Sequence, residues 1–232
     1  MKTIFGASSE IPSNTRLKNG YTMYDWVMRQ KGFPFFWGRQ LTGENAVTKD
    51  ELEFLKEKDC RVCLLFDDFT EAQISSNNGT NDGNRAVEAA KALGVPRGEG
   101  IVIYADINPE WSINHNWMLG FAGSVVNAGY AVGFIGNTDS SKNFNFDRQS
   151  SHYVQSVRYR KYMMASFGAT EPKCSTDTEE WSPYCPSGMN TEDIDLWRCE
   201  TVTFDFLSVD AVLARDKNVS EKFWDLNRKE EK

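Results

Sequence analysis

The chain has 232 residues, 40% of them hydrophobic and 13% aromatic, with a formal net charge of −7. That size and composition belong to a globular protein with a sizeable core rather than a disordered one. An acidic balance with no Lys/Arg-rich block argues against a nucleic-acid partner. No apolar run is long enough to insert into a membrane.

A first strand is expected at "TIFG", after a start whose apolar stretch is too short for a signal peptide, so the sequence reads as that of a soluble protein. Residues 22–30 have the spacing of an amphipathic helix that ends at Gly32, and "FPFFWGR" follows as an aromatic strand. Thr48 and Glu51 stand in capping-box spacing before a second helix, which passes into the strand "CRVCLLFDD". A third helix, "DGNRAVEAAKALG", closes at Gly94 and leads into "GIVIYAD". A fourth, "SINHNWMLGFAGSVVNAG", precedes "YAVGFIG".

Apolar, barely alternating strands separated by helices predict a parallel sheet with both faces covered. Beyond Gly136 the rhythm changes to a polar loop, a helix over 148–157, and the apolar stretches "YMMASF", "DIDLWRC" and "TVTFDF". Strands near Ile4, Phe35, Leu64, Val102, Val132, Met164, Leu196 and Phe204 total the eight that close a barrel. The expected fold is α/β, a single TIM-like (β/α) barrel of five regular βα units followed by three strands with few helices. The barrel spans 1–216, and 217–232 form a charged C-terminal tail, expected as a frayed surface helix.

Five cysteines allow two internal bridges at most. Cys60 and Cys63 would point to opposite faces of a strand and read as small core residues. Cys174 and Cys185 flank a polar loop and are close enough in sequence to be bridged. His115 and His152 lack the spacing of a metal site or the setting of a nucleophile triad. "GTNDGNRAVEAAKALG" lacks the glycine spacing of phosphate binders, so neither metal nor cofactor is expected.

Parallel barrels gather their chemistry at the C-terminal strand ends. That rim would hold Asp106, Asp67, Asp68 and Asp205, with Glu110 close behind Asp106, Arg39 ending the second strand, and Trp197 and Arg198 the seventh. Carboxylates hold sugar hydroxyls or protonate a glycosidic oxygen, and flat aromatic faces stack on sugar rings. The candidate catalytic residues are therefore Asp106, Asp68, Asp205 and Glu110. The candidate substrate-binding residues are Arg39, Asp67, Asn108, Trp197 and Arg198. Singly, each has a plainer use: a strand-end Asp is often a turn former, Arg39 would neutralise an acidic rim, and Trp197 would fill the core.

"GVPRGEGIVIYADIN", "NAGYAVGFIGN", "YMMASFG" and "DLWRCETVTFDFLSVD", in that order, resemble the barrel muramidases related to the Chalaropsis lysozyme. With "GFPFFWGRQLTG" the likeness is closer to their relatives, the glycoside-hydrolase-like domains of bacterial and phage proteins. The resemblance implies a flattened barrel of five strand–helix units and three further strands, directed at peptidoglycan glycan chains. It matches Asp106 to the Asp of the muramidase DxE motif, but Asn108 stands where the Glu belongs. The first strand offers Ala7 and Ser8 where muramidases carry an Asp. Asp205 and Trp197 match the last-strand Asp and the seventh-strand Trp, and Arg198 replaces a Gln.

An amide neither donates nor accepts the proton that glycoside cleavage requires, so Asn108 is not the general acid. Two alternatives follow. One is a glycoside hydrolase acting on cell-wall peptidoglycan or a related polysaccharide. The other is a catalytically impaired carbohydrate-binding or structural module of an envelope or virion assembly, which leaves the address open.

Overall fold

Side-chain oxygens start the helices and apolar strands separate them. A computed structural model describes residues 2–177, 180–204 and 206–228. The Thr22 and Thr48 hydroxyls accept from the backbone N–H of Asp25 and Glu51, opening α1 (Met23–Lys31) and α2 (Lys49–Glu57). Thr70 and Gln73 form a reciprocal capping box on the short α3 (Glu71–Ile74). Gly94, in the left-handed region at φ +84°, ends α4 (Thr80–Leu93). Asn114 caps α5 (His115–Asn127), and α6 (Phe146–Val157) and α7 (Asp216–Lys222) follow.

Eight strands close a barrel in chain order: β1 (Thr3–Ser8), β2 (Phe36–Gln40), β3 (Arg61–Phe66), β4 (Val102–Asp106), β5 (Ala131–Gly136), β6 (Ser166–Ala169), β7 (Ile194–Phe204) and β8 (Leu207–Arg215). Five strand–helix units followed by three strands is the expected architecture. Side-chain alternation divides the core. Phe36, Cys63, Leu65, Val102, Tyr104, Ile135, Leu196 and Val212 face the barrel interior. Trp37, Leu64, Phe66, Ile103, Phe134 and Trp197 pack in the core beneath the helices. The interior is narrow: a Cβ on Gly133 would sit 2.2 Å from Tyr104 Cδ1, so this glycine makes room for the tyrosine ring.

Three expectations are corrected. The sixth strand begins at Ser166 rather than near Met164, because residues 161–163 form a 3-10 turn. Most of "DIDLWRC" and the start of "TVTFDF" are one strand, β7 from Ile194 to Phe204, and the eighth is "LSVDAVLAR". Because the β7–β8 link is a tight hairpin, the chain must reverse, and β8 runs antiparallel to both β7 and β1. Finally, the start of the tail is not a frayed surface helix. Val219 and Phe223 enter the interior cluster, Phe223 against Phe36 at 4.7 Å, and Trp224 exchanges backbone hydrogen bonds with Val62. Together they close the N-terminal end of the barrel.

The bridge is Cys174–Cys199, not Cys174–Cys185, and Cys185 is free. It ties the loop between β6 and β7 to β7 itself across a sequence separation of 25. Closing a loop of that length stabilises by about 3 kcal/mol. Cys174→Ser is expected to lower the melting temperature by about 6–12 °C in a thermal scan. A fall of under about 2 °C would mean that the loop is held by other contacts.

Candidate active site

The interior alternation carries the barrel's own register up to its C-terminal mouth. Val102 and Tyr104 face inward on β4, so Asp106 does too; Cys63 and Leu65 face inward on β3, which brings Asp67 to the same side. Phe66, the last residue of β3, is paired with Ala105, so Asp67 and Asp106 follow at the ends of neighbouring strands. From the opposite wall, inward-facing Arg198 donates from Nη2 to Asp106 Oδ2 at 2.8 Å. Its Nε lies 3.4 Å from Asp210 Oδ2, and Asp210 Oδ1 accepts from the Thr201 hydroxyl at 2.6 Å.

The Arg198 and Asp106 side chains are only 15% and 12% exposed. Burial works against the charge of Arg198, but Asp106 and Asp210 outweigh it and hold the guanidinium above the usual arginine range. Asp67 differs. Its carboxyl reaches solvent, yet the concave mouth strips part of its hydration, and Asp106, Glu10 and Asp68 add negative charge nearby. Desolvation first and Asp106 second push its pKa up to about 6.

This shift fixes a sign for stability. Between about pH 4 and 6 the folded state binds the Asp67 proton more tightly than the unfolded chain does, so stability falls as pH rises through that window. Asp67→Asn is therefore expected to stabilise the protein at pH 7.5 by about 1 kcal/mol, after allowing for solvent screening, and by almost nothing at pH 4. Melting curves at the two pH values check this; an equal shift at both, or destabilisation at pH 7.5, would contradict it.

Other candidates lie apart from this cluster. Asp68 points toward α4, where its Oδ2 meets Arg85 Nη1 at 2.5 Å, and Arg85 also holds Asp82. Asn108 is a turn former: its Oδ1 accepts from the Glu110 N–H at 2.9 Å, and both side chains are exposed. Arg39 faces away from the mouth because inward positions on β2 are Phe36 and Gly38. It is fully buried against Glu51 at 2.9 Å and donates to the carbonyls of Ser9 and Asn45. Trp197 is core as well, donating to the Pro172 carbonyl at 2.7 Å and meeting Trp181 edge-on. Asp205 lies outside the described residues.

The histidines form their own pair, His115 and His152 with ring centroids 5.5 Å apart and His115 Nδ1 on Gln149. Among the described residues no group of three or more His, Cys, Asp or Glu is arranged to hold a metal, and no helix is long and apolar enough to cross a membrane. Residues that sequence reasoning missed are Asp210, Thr201 and Glu10. Asp210 had a signal, since it alternates with Val212 and Ala214 in "LSVDAVLAR". A concavity of about 810 Å³ lies at the opposite end of the barrel, among Asp195, Arg215 and Lys222. There Lys222 and Arg215 share Asp195, at 2.5 and 3.7 Å from its carboxyl oxygens.

A family model described as Rv2525c-like, glycoside hydrolase-like domain, matches residues 33–193. No curated protein sequence matches the chain. A crystal structure of an uncharacterized B. stearothermophilus protein superposes with a TM-score of 0.74 at 18% identity, covering 95% of this chain and 100% of that one. The Mycobacterium tuberculosis Tat-secreted protein Rv2525c, in complex with L-tartrate, gives 0.57 at 14% identity over 96% and 98%. GHIP of Streptococcus pneumoniae, a glycosyl hydrolase 25, gives 0.50 at 9% identity over 94% and 92%. At these identities the three structures show the shared fold.

Proposed function

Because the chain belongs to the Rv2525c-like, glycoside hydrolase-like domain family, we propose that its barrel mouth cleaves a glycosidic bond in peptidoglycan or a related polysaccharide. Asp67 is the proton donor and Asp106 its carboxylate partner. The observation that carries this is two carboxyl groups at the ends of adjacent strands, one pushed up to about 6 in part by the other, which is bonded to Arg198. Glycoside cleavage needs an acid that keeps its proton beside a second carboxyl group, and the raised pKa of Asp67 suits the first role.

In this reading Asp67 protonates the departing glycosidic oxygen. Asp106, oriented by Arg198, faces the developing positive charge at the anomeric carbon, and water then adds to that carbon, giving its proton to the Asp67 carboxylate and so restoring the acid. The Cys174–Cys199 bridge suits an oxidising compartment, where cell-wall glycan is met.

A second reading is favoured by one observation: Asn108, at the position of the muramidase Glu, is spent on a turn. There the carboxylates hold sugar hydroxyls without cutting, as in a binding module of an envelope or virion assembly. Reducing-end release from purified peptidoglycan and a polysaccharide panel separates the two. Release by the wild type that Asp67→Asn loses supports the hydrolase. No release with retained glycan pull-down establishes the binding module instead.

A further inference from the structure

The β7–β8 hairpin outruns the barrel. The last rung that β8 shares with β1 is Asp210 with Ser8, and the last that β7 shares with β6 is Trp197 with Ala169. From Val202 to Phe204 the two strands pair only with each other, about 10 Å of strand beyond the rim. A register shift between Arg198 and Thr201 marks a bulge at the point of departure, the device that bends and re-aims a strand.

The hairpin is two-faced. Val202 and Val209 pair across it on the side that meets Trp26 and Val27 of α1, and Lys31 anchors it through Glu200 at 2.7 Å. Thr201 pairs with Asp210 and Thr203 with Ser208 on the other face. Asp210 touches Arg198, so this polar face continues the mouth, and Thr201, Thr203 and Ser208 are exposed on it. At the tip, Phe206 is 94% exposed with φ +73°. A bulky side chain in the left-handed region is strained where glycine is not, and the ring buries nothing in return. Neither folding nor packing accounts for an aromatic residue there.

We propose that this hairpin is a secondary glycan subsite, its hydroxyl row and the Phe206 ring taking sugar units of a polysaccharide chain that extends past Asp106 and Arg198. The occupant follows from continuity with the mouth, from a face of hydroxyl donors and acceptors, and from an aromatic face free to stack on a sugar ring. The inference rests on the glycan reading of the mouth.

The test is calorimetric titration with peptidoglycan glycan strands fractionated to disaccharide and octasaccharide, in an Asp67→Asn background that prevents turnover. With the hairpin intact, the octasaccharide is expected to bind more tightly than the disaccharide. Phe206→Gly is expected to weaken the octasaccharide about five- to tenfold, leave the disaccharide unchanged, and leave the melting temperature unchanged or raised. Thr203→Val with Ser208→Ala is expected to act in the same length-dependent sense. Equal affinity for both lengths, or octasaccharide binding untouched by Phe206→Gly, would overturn the subsite while the mouth reading stands. Failure of both lengths to bind would remove the mouth reading and the subsite with it.

Discussion

Replacing Asp106 with asparagine is expected to reduce reducing-end release about a hundredfold to a thousandfold, the range lost with one group that stabilises developing charge. Asparagine keeps the shape of the side chain and its contact with Arg198, but not the charge. The fold should survive, because Asp210 still neutralises Arg198 from its other side. The variant should also change Asp67. Removing the negative charge of Asp106 takes away the second-largest cause of the raised pKa, so any residual activity should be lost at a lower pH than in the wild type as pH rises. Full activity in a folded Asp106→Asn protein would remove Asp106 from the mechanism.

The largest expected loss of stability is at Arg39, outside the mouth. Arg39 and Glu51 have fully buried side chains, and Glu51 also accepts from the Ser13 N–H at 2.6 Å. Burial pulls the Arg39 guanidinium below its usual range while Glu51 opposes that shift. Arg39→Met leaves a buried carboxylate unpaired and strips donors from two carbonyls, which costs about 4 kcal/mol and about 8–16 °C in melting temperature. Replacing both partners, Arg39→Met with Glu51→Leu, should recover much of that loss, because two desolvated charges leave together. A single variant as stable as the wild type would show that the pair contributes nothing. Either way, glycan binding by the folded fraction should be unchanged, since Arg39 does not reach the mouth.

The first five strand–helix units were legible because helix caps and apolar runs are local signals: Thr48 and Gly94 act where their spacing placed them. The last third was not. The true turn, between Phe204 and Leu207, has no glycine at its left-handed position but Phe206, so "TVTFDF" read as a strand in its own right. A bulge on β7 further hid the continuity of one long strand. The bridge partner of Cys174 was beyond reach because pairing follows three-dimensional proximity, not spacing along the chain.

At the site, the rim was legible but the roles within it were not. Alternation from Cys63 and Leu65 points Asp67 inward and Asp68 outward. The same rule turns Arg39 and Trp197 away from the mouth and Arg198 toward it. The raised pKa of Asp67 had no local signal, because it arises from a neighbouring strand and the concavity of the closed barrel.

The pH profile of reducing-end release from purified peptidoglycan by the wild-type protein tests the central claim most directly. If Asp67 supplies the proton, activity should fall as pH rises through about 6, being near half its maximum there, and disappear in Asp67→Asn across the range. Release that is flat through pH 6 and survives in Asp67→Asn would contradict the assignment of Asp67 as the acid. Absence of release at every pH, with the glycan still bound, would contradict hydrolysis itself.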